Sequence, residues 1–172
     1  TPATIRLTAP NNFPIAGELL PIEIIYHRLL PLVSTCLHRI DALQERNRGA
    51  ELHRKVCESL GYSFYADDGS YPDILNQLVE VKLQMSPTID LGLHSPIEEK
   101  PFIKINGVPF LSKDIRYVIF DASVDSSDAS LVHLNCLYVV TGLDFSKHFP
   151  LFGGKVQNAK IQLPLPSDFF DD

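Results

Sequence analysis

Two long apolar runs constrain this chain more than anything else in it. Arg116-Tyr-Val-Ile-Phe-Asp-Ala122 and His133-Leu-Asn-Cys-Leu-Tyr-Val-Val140 are separated by the Ser/Asp-rich stretch 123–130. A strand wet on one face alternates apolar and polar residues, whereas near-continuous apolar runs belong to strands covered on both faces. The chain is therefore expected to build a layered α/β domain. Upstream, Ile24, Ile25, Leu29, Leu32, Val33, Cys36, Leu37, Ile40 and Leu43 recur at three-and-four spacing. That spacing predicts an amphipathic helix from Pro21 to about Arg46, interrupted at Pro31. A second helix is predicted over 48–60, with Leu52, Val56, Cys57 and Leu60 inward and Gly61 as its stop.

Short strands are predicted at Tyr62–Tyr65, 72–76 and 78–84, with a turn at 66–70 and a loop or short helix over 86–98. Asn106-Gly107 marks a turn between Phe102–Ile105 and Val108–Phe110. A short helix is expected over 144–149. The Pro- and Asn-rich residues 1–20 read as an irregular arm, and 150–172 shows little periodicity. This order predicts an α/β fold in which a mixed central sheet of about five strands is flanked by helices. At 172 residues and 45% hydrophobic content, residues 21–172 can form one domain with its own core. The opening Thr1 suggests a domain taken from a longer protein, with an N-terminal partner domain missing.

Composition narrows the class further. No apolar run approaches a membrane span and no secretory leader is visible, so no membrane partner is expected. Cys36, Cys57 and Cys136 are odd in number, widely spaced and without metal-ligand spacing. They read as buried thiols of a cytoplasmic protein and argue against zinc. The net charge of −6 runs against the basic face usual in nucleic-acid binders. The cations nevertheless gather at 38–55, while acids gather at 67–73, 121–128 and Asp171-Asp172. Gly153-Gly154-Lys155 lacks the spacing of a phosphate-binding loop.

Residues 71–84, Tyr-Pro-Asp-Ile-Leu-Asn-Gln-Leu-Val-Glu-Val-Lys-Leu-Gln, carry the chemistry. Val79, Val81 and Leu83 alternate with Glu80, Lys82 and Gln84, so an acid, a base and an amide share one strand face. Asp73 lies just upstream, beyond a polar break at Asn76-Gln77. Two converging carboxylates suit Mg²⁺, which takes hard oxygen ligands, and a neighbouring lysine can position or deprotonate a water. The bland alternative is a solvated Glu/Lys pair beside a turn aspartate.

Pro72-Asp73 followed by Glu80-Val81-Lys82 resembles the PD-(D/E)XK signature of restriction-endonuclease-like phosphodiesterases. The flanking Asp68-Gly-Ser-Tyr-Pro-Asp-Ile and Glu80-Val-Lys-Leu-Gln-Met-Ser-Pro-Thr-Ile-Asp-Leu-Gly-Leu is similar to bacterial type II restriction enzymes. The resemblance spans roughly residues 46–145 and implies a restriction-endonuclease-like core with Asp73 and the Glu80-x-Lys82 strand as hairpin partners. It also implies roles. Asp73 and Glu80 would hold Mg²⁺ together with the Val81 carbonyl, and Lys82 would orient the attacking water. The implied activity is site-specific hydrolysis of double-stranded DNA by a bacterial cytoplasmic homodimer. The helices within 21–60 and the arm are the expected dimer surfaces. A repair or methylation-dependent nuclease, or a non-catalytic DNA-binding or assembly domain of the same fold, is the alternative.

Accessory positions carry two readings each. Glu51 is either an extra carboxylate or an ion-pair partner of Arg54. Gln84 is either a phosphate contact or a surface amide. Ser86, Thr88 and Asp90 either face DNA or merely connect elements. Arg46, Arg48, Arg54 and Lys55 either meet phosphates or form a solvated helix face. Asp121 is either a third carboxylate or a strand-end cap, and His53, His94 and His133 read as helix-surface, loop and strand-start residues.

Overall fold

The structure, a computed structural model, describes residues 7, 9–38, 45–65, 68–69, 71–91, 94–149 and 162–164, with backbone alone at 45–48 and 162–164. Helix α1 (Ile22–Leu29) ends two residues before the predicted interruption at Pro31. Pro31 enters a 3-10 turn at Leu30–Leu32, because its ring lacks an N–H and disfavours helix in the residue before it. The expected helix to Arg46 is therefore not continuous. Ser34, at φ 67, donates its N–H to the Leu134 carbonyl at 2.7 Å and turns the chain into strand β1 (Cys36–His38).

Helix α2 (Glu45–Leu60) fulfils the second helix prediction. It closes with the Gly61 N–H on the Glu58 carbonyl (3.0 Å) and the Tyr62 N–H on the Cys57 carbonyl (3.0 Å). Gly61 takes φ 102, the left-handed position such a helix end needs. Residues 62–65 form no strand. Tyr62 is buried and its hydroxyl donates to Asn76 Oδ1 at 2.9 Å.

The long apolar runs become β6 (Arg116–Val124) and β7 (Leu131–Thr141), an antiparallel pair. Strand β2 (Val79–Gln84) runs parallel to β6, and β1 antiparallel to β7, giving the order β1-β7-β6-β2. The main sheet is thus mixed as expected, and among the described residues it has four strands rather than about five. The predicted strand at 72–76 is reduced to an Ile74–Val79 bridge. The remaining strands form two separate pairs. One is β3 (Thr88–Asp90) with β8 (Gln162–Pro164), inside what was read as a loop and a tail. The other is the predicted hairpin, β4 (Ile103–Ile105) with β5 (Val108–Phe110). Its turn residues Asn106 and Gly107 take φ 51 and 81, the positive pair that a two-residue hairpin turn requires.

Both sheet faces are covered, as the apolar runs imply. On one face α1 and α2 bury Val79, Val118, Phe120, Val132, Leu134 and Leu37. On the other, Tyr117 and Ile119 pack with Ile89, Leu91, Ile115 and Phe145. Phe145 comes from α3 (Gly142–His148), whose first turn is capped by Thr141 Oγ1 accepting the Asp144 N–H. The helix lies so close to the turn at Ser112–Asp114 that a Cβ on Gly142 would sit 2.1 Å from the Ser112 carbonyl oxygen. Among the described residues no helix is long and apolar enough to cross a membrane.

Candidate active site

The carboxylates of Asp73 and Glu80 are brought together by one tight reversal of the chain. Residues Leu75–Gln77 make a single 3-10 turn, and Leu78 leaves it at φ 50, ψ 43. Ile74 and Val79 then exchange N–H···O bonds of 2.9 and 3.0 Å. A left-handed leucine costs about 1–2 kcal/mol, so the turn has to be held from outside. Gln77 Oε1 accepts the Leu20 N–H at 2.7 Å, and Gln77 Nε2 donates to the Glu18 carbonyl at 3.0 Å. The buried Arg116 guanidinium donates to the carbonyls of Leu20 and Gln77. The Asn76 N–H reaches the Pro10 carbonyl at 2.9 Å. Asn76 and Gln77, a polar break in the sequence, are therefore buried supports. Residues 10–20 are irregular as expected, but they buttress the site.

Within this frame the three predicted residues meet. The Asp73 N–H donates to Glu80 Oε2 at 3.1 Å, and the Val81 N–H donates to Asp73 Oδ2 at 2.8 Å. Lys82 Nζ lies 2.8 Å from Glu80 Oε1. Val81's N–H points away from β6, and in a strand the carbonyl of a residue points to the same edge as its N–H, so the Val81 carbonyl is directed to that edge as well.

The polar face of β2 is not solvated as its alternation suggests. The Glu80 side chain is 8% exposed and that of Lys82 22%. Burial, then the charge of Asp73, raise the Glu80 carboxyl above its ordinary range, against the opposing pull of Lys82. Burial alone would lower the Lys82 ammonium, but the Glu80 charge and hydrogen bond, with Asp73 and Asp90, more than offset it and keep it a cation. Two carboxylates and one ammonium thus share one half-buried hydrogen-bonded unit, in which the charge of Asp73 acts against that of Glu80. Burial raises the Tyr71 phenol to about 12, with Glu80 adding to the shift. Its hydroxyl lies 2.9 Å from that of Tyr117. No spacing in the sequence marks this pair.

A cavity of about 500 Å³ adjoins the site, lined in part by Gly49, Lys82, Gln84, Ser86, Thr88 and Asp90. Gln84 is buried. Its Nε2 donates to the Thr88 carbonyl at 2.8 Å and to Ser86 Oγ at 3.2 Å. It is not a surface amide but a strut for the loop that leaves β2. Ser86 is exposed and Thr88 half-buried beside the cavity. Asp90, read as a loop contact, acts on Lys82 through its charge.

Other predicted positions lie elsewhere. Glu51 accepts the His38 N–H at 3.0 Å, whereas Arg54 pairs with Glu58 at 2.7 Å, so the proposed Glu51–Arg54 pair is not the one formed. The Arg46 and Arg48 side chains lie outside the described residues. Asp121 sits within β6, where its carboxylate accepts from Asn135 Nδ2 at 3.2 Å, and not at a strand end. His53 is buried edge-on against Tyr65 at 4.8 Å, and His94 stacks on Tyr71 at 4.2 Å. Cys57 is buried, but Cys36 and Cys136 are only half-buried.

Among the described residues, no group of three or more His, Cys, Asp or Glu side chains is placed to share one ion. Mg²⁺ asks for less than that, since it keeps several waters and is held by one or two carboxylates. Asp73, Glu80 and the Val81 carbonyl fit that requirement, and a cation would relieve the opposition of the Asp73 and Glu80 charges. Comparison of the chain with known protein families, curated proteins and solved structures finds no match.

Proposed function

We propose that this protein is a Mg²⁺-dependent endonuclease of the PD-(D/E)XK kind, cutting double-stranded DNA at defined sites as type II restriction enzymes do. The reading is carried by one observation: Asp73, Glu80 and Lys82 form a single hydrogen-bonded unit in which two carboxylates lie beside one ammonium. Asp73 and Glu80 would hold the cation with the Val81 carbonyl. Bound there, Mg²⁺ would polarise the phosphoryl oxygen and neutralise developing charge. Lys82 is kept a cation by its neighbours, so it would orient the attacking water and stabilise its anionic form, rather than take its proton. Double-strand cleavage at a symmetric site calls for two such centres, hence a homodimer. The net charge of −6 favours base recognition shared with further domains.

Incubation of the protein with plasmid DNA, in Mg²⁺ or in EDTA, tests this. Discrete fragments are expected in Mg²⁺ alone, and Asp73→Ala or Lys82→Ala should abolish them while folding survives. Cleavage persisting in either variant refutes the assignment.

A further inference from the structure

Across the main sheet from Glu80 and Lys82, a second group of reactive side chains converges at the β1 edge. Cys36 and His133 stand directly opposite each other in the β1–β7 register, with Cys36 Sγ 3.1 Å from His133 Nδ1. The far ring nitrogen of His133, Nε2, meets the Asp125 carboxylate through Oδ2. Asp125 is itself fixed. Its Oδ1 accepts the Ser127 N–H at 2.7 Å, the Ser127 hydroxyl at 2.6 Å and the Asp128 N–H at 2.9 Å. The bonds from Ser127, then that from His133, hold this carboxyl well below the usual carboxylate range. Cys36 Sγ also lies 3.9 Å from Nε2, against the side of the ring, so the thiol has beside it an imidazole that a fixed carboxylate orients, the parts an activated nucleophile requires. The group is open to solvent, with the His133 side chain 39% exposed. Cys36 lies three strand spacings from β2, roughly 14 Å along the sheet, and His133 two, so the group takes no part in the cation site.

We propose that Cys36 is a nucleophilic thiol served by His133 as general base and Asp125 as positioning residue, and that its co-substrate is a small disulfide. The Cys36 sulfur attacks one sulfur of the disulfide, and a new S–S bond forms as the old one breaks. The thiol proton passes to His133 Nδ1 and from there to the departing thiolate. The products are a mixed disulfide on Cys36 and one free small thiol. Asp125 on His133, with Asp128 beside it, puts negative charge at the group, so a cationic disulfide is preferred to an anionic one.

The test uses the intact protein with cystamine as a cationic disulfide and oxidised glutathione as an anionic one. Peptide mass spectrometry follows each cysteine separately. Cys36 should react at least about tenfold faster than the half-buried Cys136 of the same chain. His133→Gln should slow Cys36 by about 100-fold, the low end of a general-base contribution, and leave Cys136 unchanged. Asp125→Asn should also slow Cys36, with Asp125→Glu restoring part of the rate, and cystamine should outpace oxidised glutathione. Equal rates at Cys36 and Cys136 in the wild type, or an unchanged Cys36 rate in His133→Gln, overturn the proposal. Cys57 is fully buried and reports unfolding. If it becomes reactive in a variant, the wild-type ratio of Cys36 to Cys136 decides alone.

Discussion

Replacing Asp73 by Asn should destroy activity and strengthen the fold at the same time. The amide keeps an oxygen for the Val81 N–H, which Asp73 accepts at 2.8 Å, and removes one negative charge from beside the buried Glu80. At an effective dielectric of about 20, two like unit charges about 5 Å apart repel by roughly 3 kcal/mol. Lys82 loses an attraction to Asp73 in the same step, so about half survives, a gain of ~1–2 kcal/mol. In a domain of this size, 1 kcal/mol moves Tm by about 2–4 °C. Asp73→Asn should therefore raise Tm by roughly 2–8 °C in EDTA at low salt, read by circular dichroism. Added Mg²⁺ should narrow the gap by stabilising the wild type alone. A variant melting at or below the wild type in EDTA would refute the claim that repulsion between Asp73 and Glu80 burdens this site.

The glycines give two opposite expectations. Gly142→Ala drives a Cβ into the Ser112 backbone, which cannot swing away as a side chain would. It should cost about 3 kcal/mol, the upper end for overpacking, and lower Tm by roughly 6–12 °C. Gly49→Ala places its Cβ in open space on α2 and should gain ~1 kcal/mol of helix propensity, raising Tm by about 2–4 °C. A destabilised Gly49→Ala or a neutral Gly142→Ala in thermal melts would contradict the packing described. Alkaline pH should unfold the protein early. Burial raises Cys57 from 9.0 and Tyr71 from 10.0, each to about 12, and Tyr62 and Tyr117 further. The unfolded chain then releases these protons first, so stability falls as pH climbs from about 9 towards 12. Arg116, lowered to about 10 by burial, acts in the opposite sense but is one group against four. Tyrosinate absorbance from Tyr62, Tyr71 and Tyr117 should appear only as the fold is lost. Full ionisation of all six tyrosines without unfolding would contradict this.

What the sequence made legible were the elements with strong local signals. The runs at 116–122 and 133–140 announced β6 and β7, Asn106-Gly107 announced its hairpin, and Gly61 the end of α2. The pairing of Asp73 with Glu80 and Lys82 was readable because all lie within ten residues. Contacts made across the chain were not. The three-residue β1 exists because Leu37 is buried opposite Val132, and its apolar spacing alone continued the helix. The alternation of β2 pointed Glu80 and Gln84 outward, yet elements far along the chain cover that face. Cys36 and His133 stand 97 residues apart, so neither position signalled the other.

Strand β2 forms one rim of the main sheet, and rims carry unpaired backbone groups that invite a second chain. Here the Val81 amide on that rim is already taken by Asp73, so a residue assigned to chemistry also guards against adventitious strand addition. A variant with Asp73 shortened to alanine uncovers that rung. It should be the first of the site variants to self-associate on storage, and seeding or light scattering, rather than a cleavage assay, would detect it.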